Sequence, residues 1–159
     1  MHPIKVVSGG QTGVDQGALA GALATGTACG GWCPKGRRSE EGPIPAIYPV
    51  AELPGAGYRE RTLRNVLDSD GTAIIHDGEL EGGTRLTWVF CEQRGRPSVL
   101  IDASALSRDQ AVDTLFEFVT GNGLAVLNVA GPRASKWPGA FEYAQASVAG
   151  MSERLTLPT

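Results

Sequence analysis

Short apolar runs rich in valine and isoleucine alternate along this chain with segments whose apolar residues recur at helical spacing. The runs predict strands over residues 4–8, 28–32, 72–76, 98–102 and 124–130. The other segments predict helices over residues 12–25, 58–67, 83–93, 107–120 and 137–149. Ser107, with Gln110 three residues later, is a good capping pair for the fourth helix. This alternation is typical of parallel strands joined by helical crossovers, and it predicts an α/β fold.

We expect a Rossmann-like, open parallel sheet of about five strands in the order 2-1-3-4-5, with helices on both faces. At 159 residues and 42% hydrophobic content, the chain is sized for one domain spanning residues 1–159. Residues 33–57 break the rhythm, because five prolines and four glycines fall among them. Loops of this length inside a compact domain are often functional, so we expect this one to form the rim of a site.

Composition excludes several classes of function. Lys and Arg total 14 against 17 Asp and Glu, a net charge of -3, so the chain lacks the basic field of a general nucleic-acid binder. No apolar run approaches the roughly 18 residues of a membrane span, and no leader is recognisable, so we expect a cytoplasmic protein without membrane contact. Cys29, Cys33 and Cys91 have neither the number nor the spacing of a metal site, and we expect reduced thiols and no bound metal.

The first predicted strand runs directly into a glycine-rich turn. Candidate ligand-binding residues in this turn are Gly9, Gly10, Gln11, Thr12 and Gly13. Glycines let a ligand approach the main chain, and the helix that follows offers free N–H groups, which suits a phosphate or another oxyanion. The turn reads SxGxxG where dinucleotide-binding proteins have GxGxxG, and no Gly-Lys-Ser/Thr follows. A tight strand-to-helix turn without any ligand is the alternative.

Further candidates follow the other predicted strands. They are Asp15 in the first helical turn, the cations Lys35, Arg37 and Arg38 after strand two, Gly82, Gly83 and Thr84 after strand three, and Asn128, Gly131, Arg133 and Ser135 after strand five. Because parallel strands end at the same edge of a sheet, we expect these loops to converge on one oxyanion site. Two interpretations stay open. Asp15 either caps its helix or ligates a cation, and the three cations after strand two, which precede two glutamates, form either a site or a solvated loop.

Several of these motifs together resemble the molybdenum carrier family. The matching stretches are residues 8–15, 30–38, 61–62, 65–66, 68–72, 82–84 and 128–133, so that the resemblance spans nearly the whole chain. The family looks like a branch of the Rossmann-like superfamily that includes the lysine decarboxylase-like, cytokinin-activating phosphoribohydrolases. The resemblance implies a carrier of the molybdenum cofactor (molybdopterin), a homo-oligomer (dimer or tetramer), and molybdoenzymes as partners. A nucleotide is the alternative phosphorylated ligand.

An enzymatic function is the second hypothesis. The phosphoribohydrolases carry a PGGxGTxxE motif, whereas residues 80–87 here read LEGGTRLT and place Thr87 where the glutamate of that motif would stand. If the protein cleaves a nucleotide N-glycosidic bond, Asp15 or Asp77 would supply the acid and base chemistry. A sensor of a nucleotide-derived ligand is the third hypothesis. We expect a carrier without catalytic residues as the leading function.

Overall fold

The computed structural model describes residues 3–55 and 57–158, so Ala56 of the predicted rim lies outside the described residues. The strands are β1 Lys5–Val7, β2 Ala28–Gly30, β3 Trp32–Cys33, β4 Arg38–Ser39, β5 Gly42–Pro43, β6 Ala51–Glu52, β7 Gly71–His76, β8 Ser98–Asp102 and β9 Val126–Ala130. The helices are α1 Val14–Ala24, α2 Tyr58–Leu67, α3 Gly82–Arg94, α4 Arg108–Asn122 and α5 Ala140–Thr156. None of the described helices is long and apolar enough to cross a membrane.

The main sheet has five parallel strands, which confirms the predicted fold class. Its order is β2-β1-β9-β7-β8. Counted among the five predicted strands this is 2-1-5-3-4, so the predicted order 2-1-3-4-5 has to be corrected. The last strand lies between the first and the third, because β9 has three consecutive buried residues, Leu127, Asn128 and Val129, that need cover on both faces. By contrast, Leu100 of β8 is 43% exposed, which suits an edge strand.

The same order has a simple interpretation as a rearranged Rossmann sheet. If the chain were read from β9 and α5 onward into β1, the strand order would be 3-2-1-4-5, the doubly wound order. In that order, the crossovers change direction between the first and fourth strands, which are here β9 and β7. Ligands of open α/β sheets bind in the crevice at this switch point, outside the carboxyl ends of the strands.

Helices cover the sheet on both faces. The larger core joins α1, α4 and α5 to inward residues of β1, β7 and β9, such as Val6, Ile75 and Leu127. A smaller core on the opposite face joins α2 to α3 through Val66, Phe90 and Cys91. The predicted cap of α4 is confirmed, since Ser107 Oγ accepts from Gln110 N at 3.2 Å and Gln110 Oε1 accepts from Ser107 N at 2.8 Å.

Two element boundaries differ from the sequence-based prediction for identifiable reasons. The predicted strand 28–32 is broken at Gly31, whose φ of 124° ends β2 before β3 begins. The last helix begins at Ala140, not at residue 137, because residues after β9 first form a turn in which the Trp137 amide donates to the Arg133 carbonyl at 3.2 Å. Both breaks lie at the carboxyl edge of the sheet.

Residues 33–55 and 57, hereafter the rim segment, have structure of their own. The strands β4 and β5 form an antiparallel hairpin, and β6 pairs with β3. Ile44, Tyr48 and Val50 pack with Leu19 and Cys33 in a separate small core. The predicted long loop is therefore a folded layer at one end of the sheet.

Gly131, directly after β9, provides a test of this packing. A Cβ on Gly131 would lie 2.1 Å from the Ile75 carbonyl oxygen and 2.6 Å from Val14 Cγ2, and the strand carbonyl has no room to move. We expect Gly131→Ala to lower the free energy of unfolding by about 2 kcal/mol in urea titrations, as other overpacked positions do. Gly121→Ala is the matched control, because a Cβ there meets nothing within 4 Å. Equal unfolding midpoints for the two variants would contradict this account of the packing.

Candidate functional site

A cavity of about 610 Å³ opens at the carboxyl ends of β1, β7 and β9, which is the predicted edge of the sheet. Its walls come from the turn after β1, the rim segment, α2, the loop after β7 with the start of α3, and the loop after β9. The lining residues are Gln11, Asp15, Glu40, Tyr58, Arg59, Arg61, Thr62, Asp77, Glu79, Glu81, Gly82, Gly83, Thr84, Leu86, Thr87, Ala130, Gly131, Pro132, Arg133, Lys136 and Trp137. The loops after the first, third and fifth predicted strands therefore meet, as the sequence predicted.

The first glycine turn, residues 8–13, uses most of its backbone amides within the protein. The donor and acceptor pairs are Ser8 N to the Gly30 carbonyl (3.0 Å), Gly10 N to Ser8 Oγ (3.4 Å), Gln11 N to Asp15 Oδ2 (3.2 Å) and Thr12 N to Gln11 Oε1 (3.0 Å). Directly after the turn, Val14 N donates to the Pro132 carbonyl at 3.1 Å. Among the glycines and polar residues predicted here, Gln11 lines the cavity, and Gly9, Gly10, Thr12 and Gly13 do not. Most amides of this turn are thus already satisfied without an external anion.

Arg61 of α2 lies directly over Gly9. A Cβ at Gly9 would be 1.9 Å from Arg61 Nη1, so glycine is required for the guanidinium to approach the backbone this closely. The same Nη1 is 3.7 Å from Asp15 Oδ2, and both side chains are nearly buried. Arg61 Nε has no hydrogen-bond partner among the described residues. Arg61 therefore lines the cavity with unused donor capacity.

Asp15 is a buried carboxyl that lines this cavity. Burial raises the pKa of its carboxyl to about 6, and the Arg61 charge and the amides of Gln11 and Gly9 oppose that rise only in part. A carboxyl with such a pKa, lining a cavity, is a candidate for proton transfer. Asp77, the other predicted acid, lies on the wall of the same cavity.

Helix α2 is held in place by a buried amide. Asn65 Oδ1 accepts from Trp32 N at 2.8 Å, and Asn65 Nδ2 donates to the Trp32 carbonyl at 2.9 Å. This pair of bonds ties the backbone of β3 to α2 and fixes the helix that carries Arg61. Nothing in the sequence indicated that the face of α2 that carries Arg61 looks into the site.

The second glycine turn, residues 81–84, differs from the first. Within the described residues, the amides of Gly82, Gly83 and Thr84 have no hydrogen-bond acceptor, and no side chain caps the start of α3. A Cβ on Gly83 would meet nothing within 4 Å, so the turn opens into the cavity. Unpaired amides at the positive end of a 13-residue helix suit an oxyanion.

The cations predicted after the second strand lie elsewhere. Arg37, whose φ is 50°, donates from its guanidinium to the carbonyls of Ile44, Pro45, Tyr48 and Val50 at 2.7 to 3.3 Å. Arg38 Nε donates to the Lys35 carbonyl at 3.1 Å. None of Lys35, Arg37 and Arg38 lines the cavity. Arg37 organises the rim segment, and the cavity takes its positive charge from other residues.

Those other residues are Arg59, Arg61, Lys136 and the predicted Arg133. Lys136 lies three residues after Arg133 in the same loop, whereas nothing in the sequence of α2 marks Arg59 as a cavity residue. The predicted Asn128 is not part of the cavity wall. It is buried in the sheet, where its Nδ2 donates to Thr72 Oγ1 at 3.3 Å.

Thr12 and Ser135, both predicted to hold the ligand, contact a side chain of the protein instead. Together with Arg133 they surround the carboxylate of Glu40, which lies in the turn of the β4–β5 hairpin. Hydrogen bonds from the Ser135 and Thr12 hydroxyls hold the pKa of Glu40 below its usual value. An anion therefore already occupies this part of the predicted oxyanion site. We call Glu40, Thr12, Arg133 and Ser135 the Glu40 cluster.

The raised pKa of Asp15 predicts the direction in which the stability of the fold changes with pH. A carboxyl with a pKa near 6 in the folded chain and near 3.8 in the unfolded chain adds stability below pH 4, and this stability is lost as the pH rises through 6. We therefore expect the free energy of unfolding of the parent, minus that of Asp15→Asn, to increase by about 2.5 kcal/mol from pH 7.5 to pH 4. Urea titrations of both proteins at several pH values measure this difference in unfolding free energy.

Asp113→Asn is the control, because the Asp113 carboxylate is largely exposed, in an ion pair with Arg154. A stability difference for Asp15→Asn that stays constant with pH, or that falls as the pH is lowered, would contradict the assignment of Asp15 as a buried acid.

Comparison with known proteins places this architecture in a family. A family model described as the circularly permutated YpsA SLOG family matches residues 6–151. That description agrees with the sheet order, which becomes the Rossmann order when the chain is read from β9. A comparison with curated proteins gives no significant match.

A solved structure from Syntrophus aciditrophicus SB, named "putative molybdenum carrier protein", is 41% identical to this chain. The match covers 94% of each chain with a TM-score of 0.89, so the resemblance to molybdenum carriers is confirmed over nearly the whole fold. Matched in both its sequence and its permuted sheet, the chain belongs to the circularly permutated YpsA SLOG family.

Proposed function

We propose that this protein binds a small phosphorylated ligand in the cavity at the β9–β7 switch point, and that this ligand is the molybdenum cofactor. One observation carries the proposal. The three unpaired amides at the start of α3 open into the same cavity of about 610 Å³ that Arg59, Arg61, Arg133 and Lys136 line. Helix N-termini and guanidinium groups are the usual partners of phosphate in proteins.

The dimensions and chemistry of the cavity fit such a ligand. Ligand pockets of roughly 300 to 1,000 Å³ hold molecules of this size. The phosphate of molybdopterin and the oxo groups of its molybdenum are oxyanions, which suit the α3 amides and Arg61. A pterin ring needs an apolar or aromatic wall, and Tyr58, Trp137 and Leu86 line the cavity.

The name of the solved relative supports the molybdenum cofactor over other phosphorylated ligands. As part of the same proposal, a carrier of this kind would act in the cytoplasm as a homo-oligomer and transfer the cofactor to molybdoenzymes. The cofactor is then cargo, and the residues on the cavity wall have to bind and release it without changing it.

Two substitutions test the proposed oxyanion contacts. We expect Arg61→Gln to weaken binding of the molybdenum cofactor about 10- to 100-fold, because it removes a charged hydrogen-bond donor. We expect Thr84→Val to weaken it about 3- to 10-fold, whereas Thr84→Ser keeps the hydroxyl and the affinity. The measurement is anaerobic equilibrium dialysis against cofactor released from a denatured molybdoenzyme, with molybdenum and pterin quantified separately.

Lys35→Gln is the control, because it removes a cation that lies outside the cavity. If Lys35→Gln weakens binding as much as Arg61→Gln, the site has been misplaced. If the parent binds AMP in the same assay and does not bind the cofactor, the assignment of the cavity as a phosphate site holds. The assignment of the molybdenum cofactor as its ligand is then wrong.

Hydrolysis of a nucleotide N-glycosidic bond is the second candidate, and the buried Asp15 favours it. A carboxyl with a pKa of about 6 on a cavity wall suits general acid catalysis near neutral pH. Thr87, at the position of the glutamate in the related motif, donates its hydroxyl to the Gly83 carbonyl at 2.9 Å and has no such role.

Incubation with nucleoside 5′-monophosphates tests the second candidate. If the protein is a hydrolase, chromatography detects free base with the parent, and we expect Asp15→Asn to reduce the rate at least 100-fold. Asp77→Asn distinguishes the two acids, because only the catalytic one is needed for base release. No free base with the parent enzyme over a full set of bases excludes this candidate.

A further inference from the structure

The Glu40 carboxylate is bound as a ligand oxyanion would be. Its Oε2 accepts from Thr12 Oγ1 at 2.5 Å and from Ser135 N at 3.0 Å, and its Oε1 accepts from Ser135 Oγ at 2.5 Å. Arg133 Nε lies 3.3 Å from the same Oε1. Two hydroxyls, one amide and one guanidinium therefore converge on a single anionic group.

These donors come from two of the loops that meet at the cavity. Thr12 follows β1, and Arg133 and Ser135 follow β9, where Thr12 Oγ1 also accepts from Ala134 N at 3.1 Å. The loops are thus joined to each other before Glu40 is added. Because Glu40 and Arg133 both line the cavity, the cluster borders the space that a ligand would occupy.

Glu40 connects these loops to a separately organised part of the chain. The rim segment is held internally by Arg37, whose guanidinium binds four of its carbonyls. The tip of the β4–β5 hairpin contacts the loops after β1 and β9 through the Glu40 carboxylate and through Glu40 N, which donates to Gln11 Oε1 at 2.9 Å. The neighbouring Glu41 is exposed and has no side-chain bond among the described residues.

From this geometry we infer that Thr12, Arg133 and Ser135 form an oxyanion subsite that Glu40 fills in the free protein, and that a ligand phosphate binds there by displacing the Glu40 carboxylate. The inference rests on the proposed function in one respect, namely that the ligand of the cavity carries a phosphate. Displacement exchanges one anion for another on the same donors. It removes the carboxylate contacts of the hairpin tip and leaves the tip held to the β1 loop by the bond from Glu40 N to Gln11 Oε1. Ligand binding and loosening of the hairpin tip are then the same event.

The first experiment removes the internal anion and uses pyrophosphate as the probe. Calorimetry should show that Glu40→Ala binds pyrophosphate at least tenfold more tightly than the parent does. Glu41→Ala is the matched control, because it removes the same charge from the same hairpin turn without touching the donors. The gain should disappear in Glu40→Ala combined with Ser135→Ala, which deletes one of the hydroxyl donors. Equal gains in Glu40→Ala and Glu41→Ala would overturn the inference in favour of a general charge effect.

The second experiment needs no variant and so does not depend on how well Glu40→Ala folds. Arg38 is exposed at the base of the hairpin and is a cleavage site for trypsin. Saturating pyrophosphate should increase the rate of cleavage after Arg38 in the parent several-fold, as followed by intact-mass spectrometry. Unchanged or slower cleavage with bound pyrophosphate would overturn the displacement.

Failure of this inference is distinguishable from failure of the proposed function. Loss of cofactor binding in Arg61→Gln and Thr84→Val, with no effect of Glu40→Ala on pyrophosphate, supports the cavity and overturns the subsite. If Glu40→Ala binds pyrophosphate tightly and the parent does not bind the molybdenum cofactor, the result supports the subsite. The molybdenum cofactor is then not the ligand of the cavity.

Discussion

The insertion of β9 between β1 and β7 is the constraint on which the rest of the structure depends. It places the loop after the last strand beside the loops after the first and third predicted strands, which are far from it in sequence. The close fit of Gly131 under the Ile75 carbonyl and against Val14 shows how little space this insertion leaves. The cavity exists because three loops meet there. Since α5 follows β9 in the chain, the same insertion also packs α5 against α1. A chain with β9 at the edge would leave Arg133 and Lys136 away from Arg61.

The two glycine turns at this edge have opposite roles because of where acidic side chains lie. In the first turn, the carboxylate of Asp15 accepts a hydrogen bond from the Gln11 amide four residues before it. The carboxylate of Glu40, which comes from the β4–β5 hairpin, accepts one from the Thr12 hydroxyl. These internal anions satisfy the groups that an external phosphate would need. The second turn contains Glu81, but no side chain accepts from the amides of Gly82, Gly83 and Thr84 at the start of α3, so these amides remain available. Local glycine content therefore does not tell which turn has free backbone amides, whereas the hydrogen bonds that nearby carboxylates accept do.

Much of the fold follows from local pattern, and much of the site does not. The helix Tyr58–Leu67 and the strand Ser98–Asp102 have the predicted bounds, because apolar spacing and capping residues act within a few residues. Strand order depends on which strand needs cover on both faces, a property of the assembled sheet. The role of Arg37 depends on four carbonyls of a folded rim that looked like an irregular loop in the sequence. Arg61 is identified only once Gly9 is seen beneath it.

Charge on the cavity wall explains why individual contacts must decide binding. Five carboxylates line the cavity, namely Asp15, Glu40, Asp77, Glu79 and Glu81, against the four cations Arg59, Arg61, Arg133 and Lys136. The wall as a whole does not attract an anion, so a phosphate has to be held by donors at short range, where a low dielectric strengthens them. An oxyanion bound as proposed would compete with Asp15 for the charge of Arg61, and its negative charge would favour the neutral form of the Asp15 carboxyl. Because burial already raises the pKa of Asp15 to about 6, this acid takes up a proton more readily than an exposed one. Under the proposed function, proton uptake by Asp15 and binding of a phosphate therefore support each other.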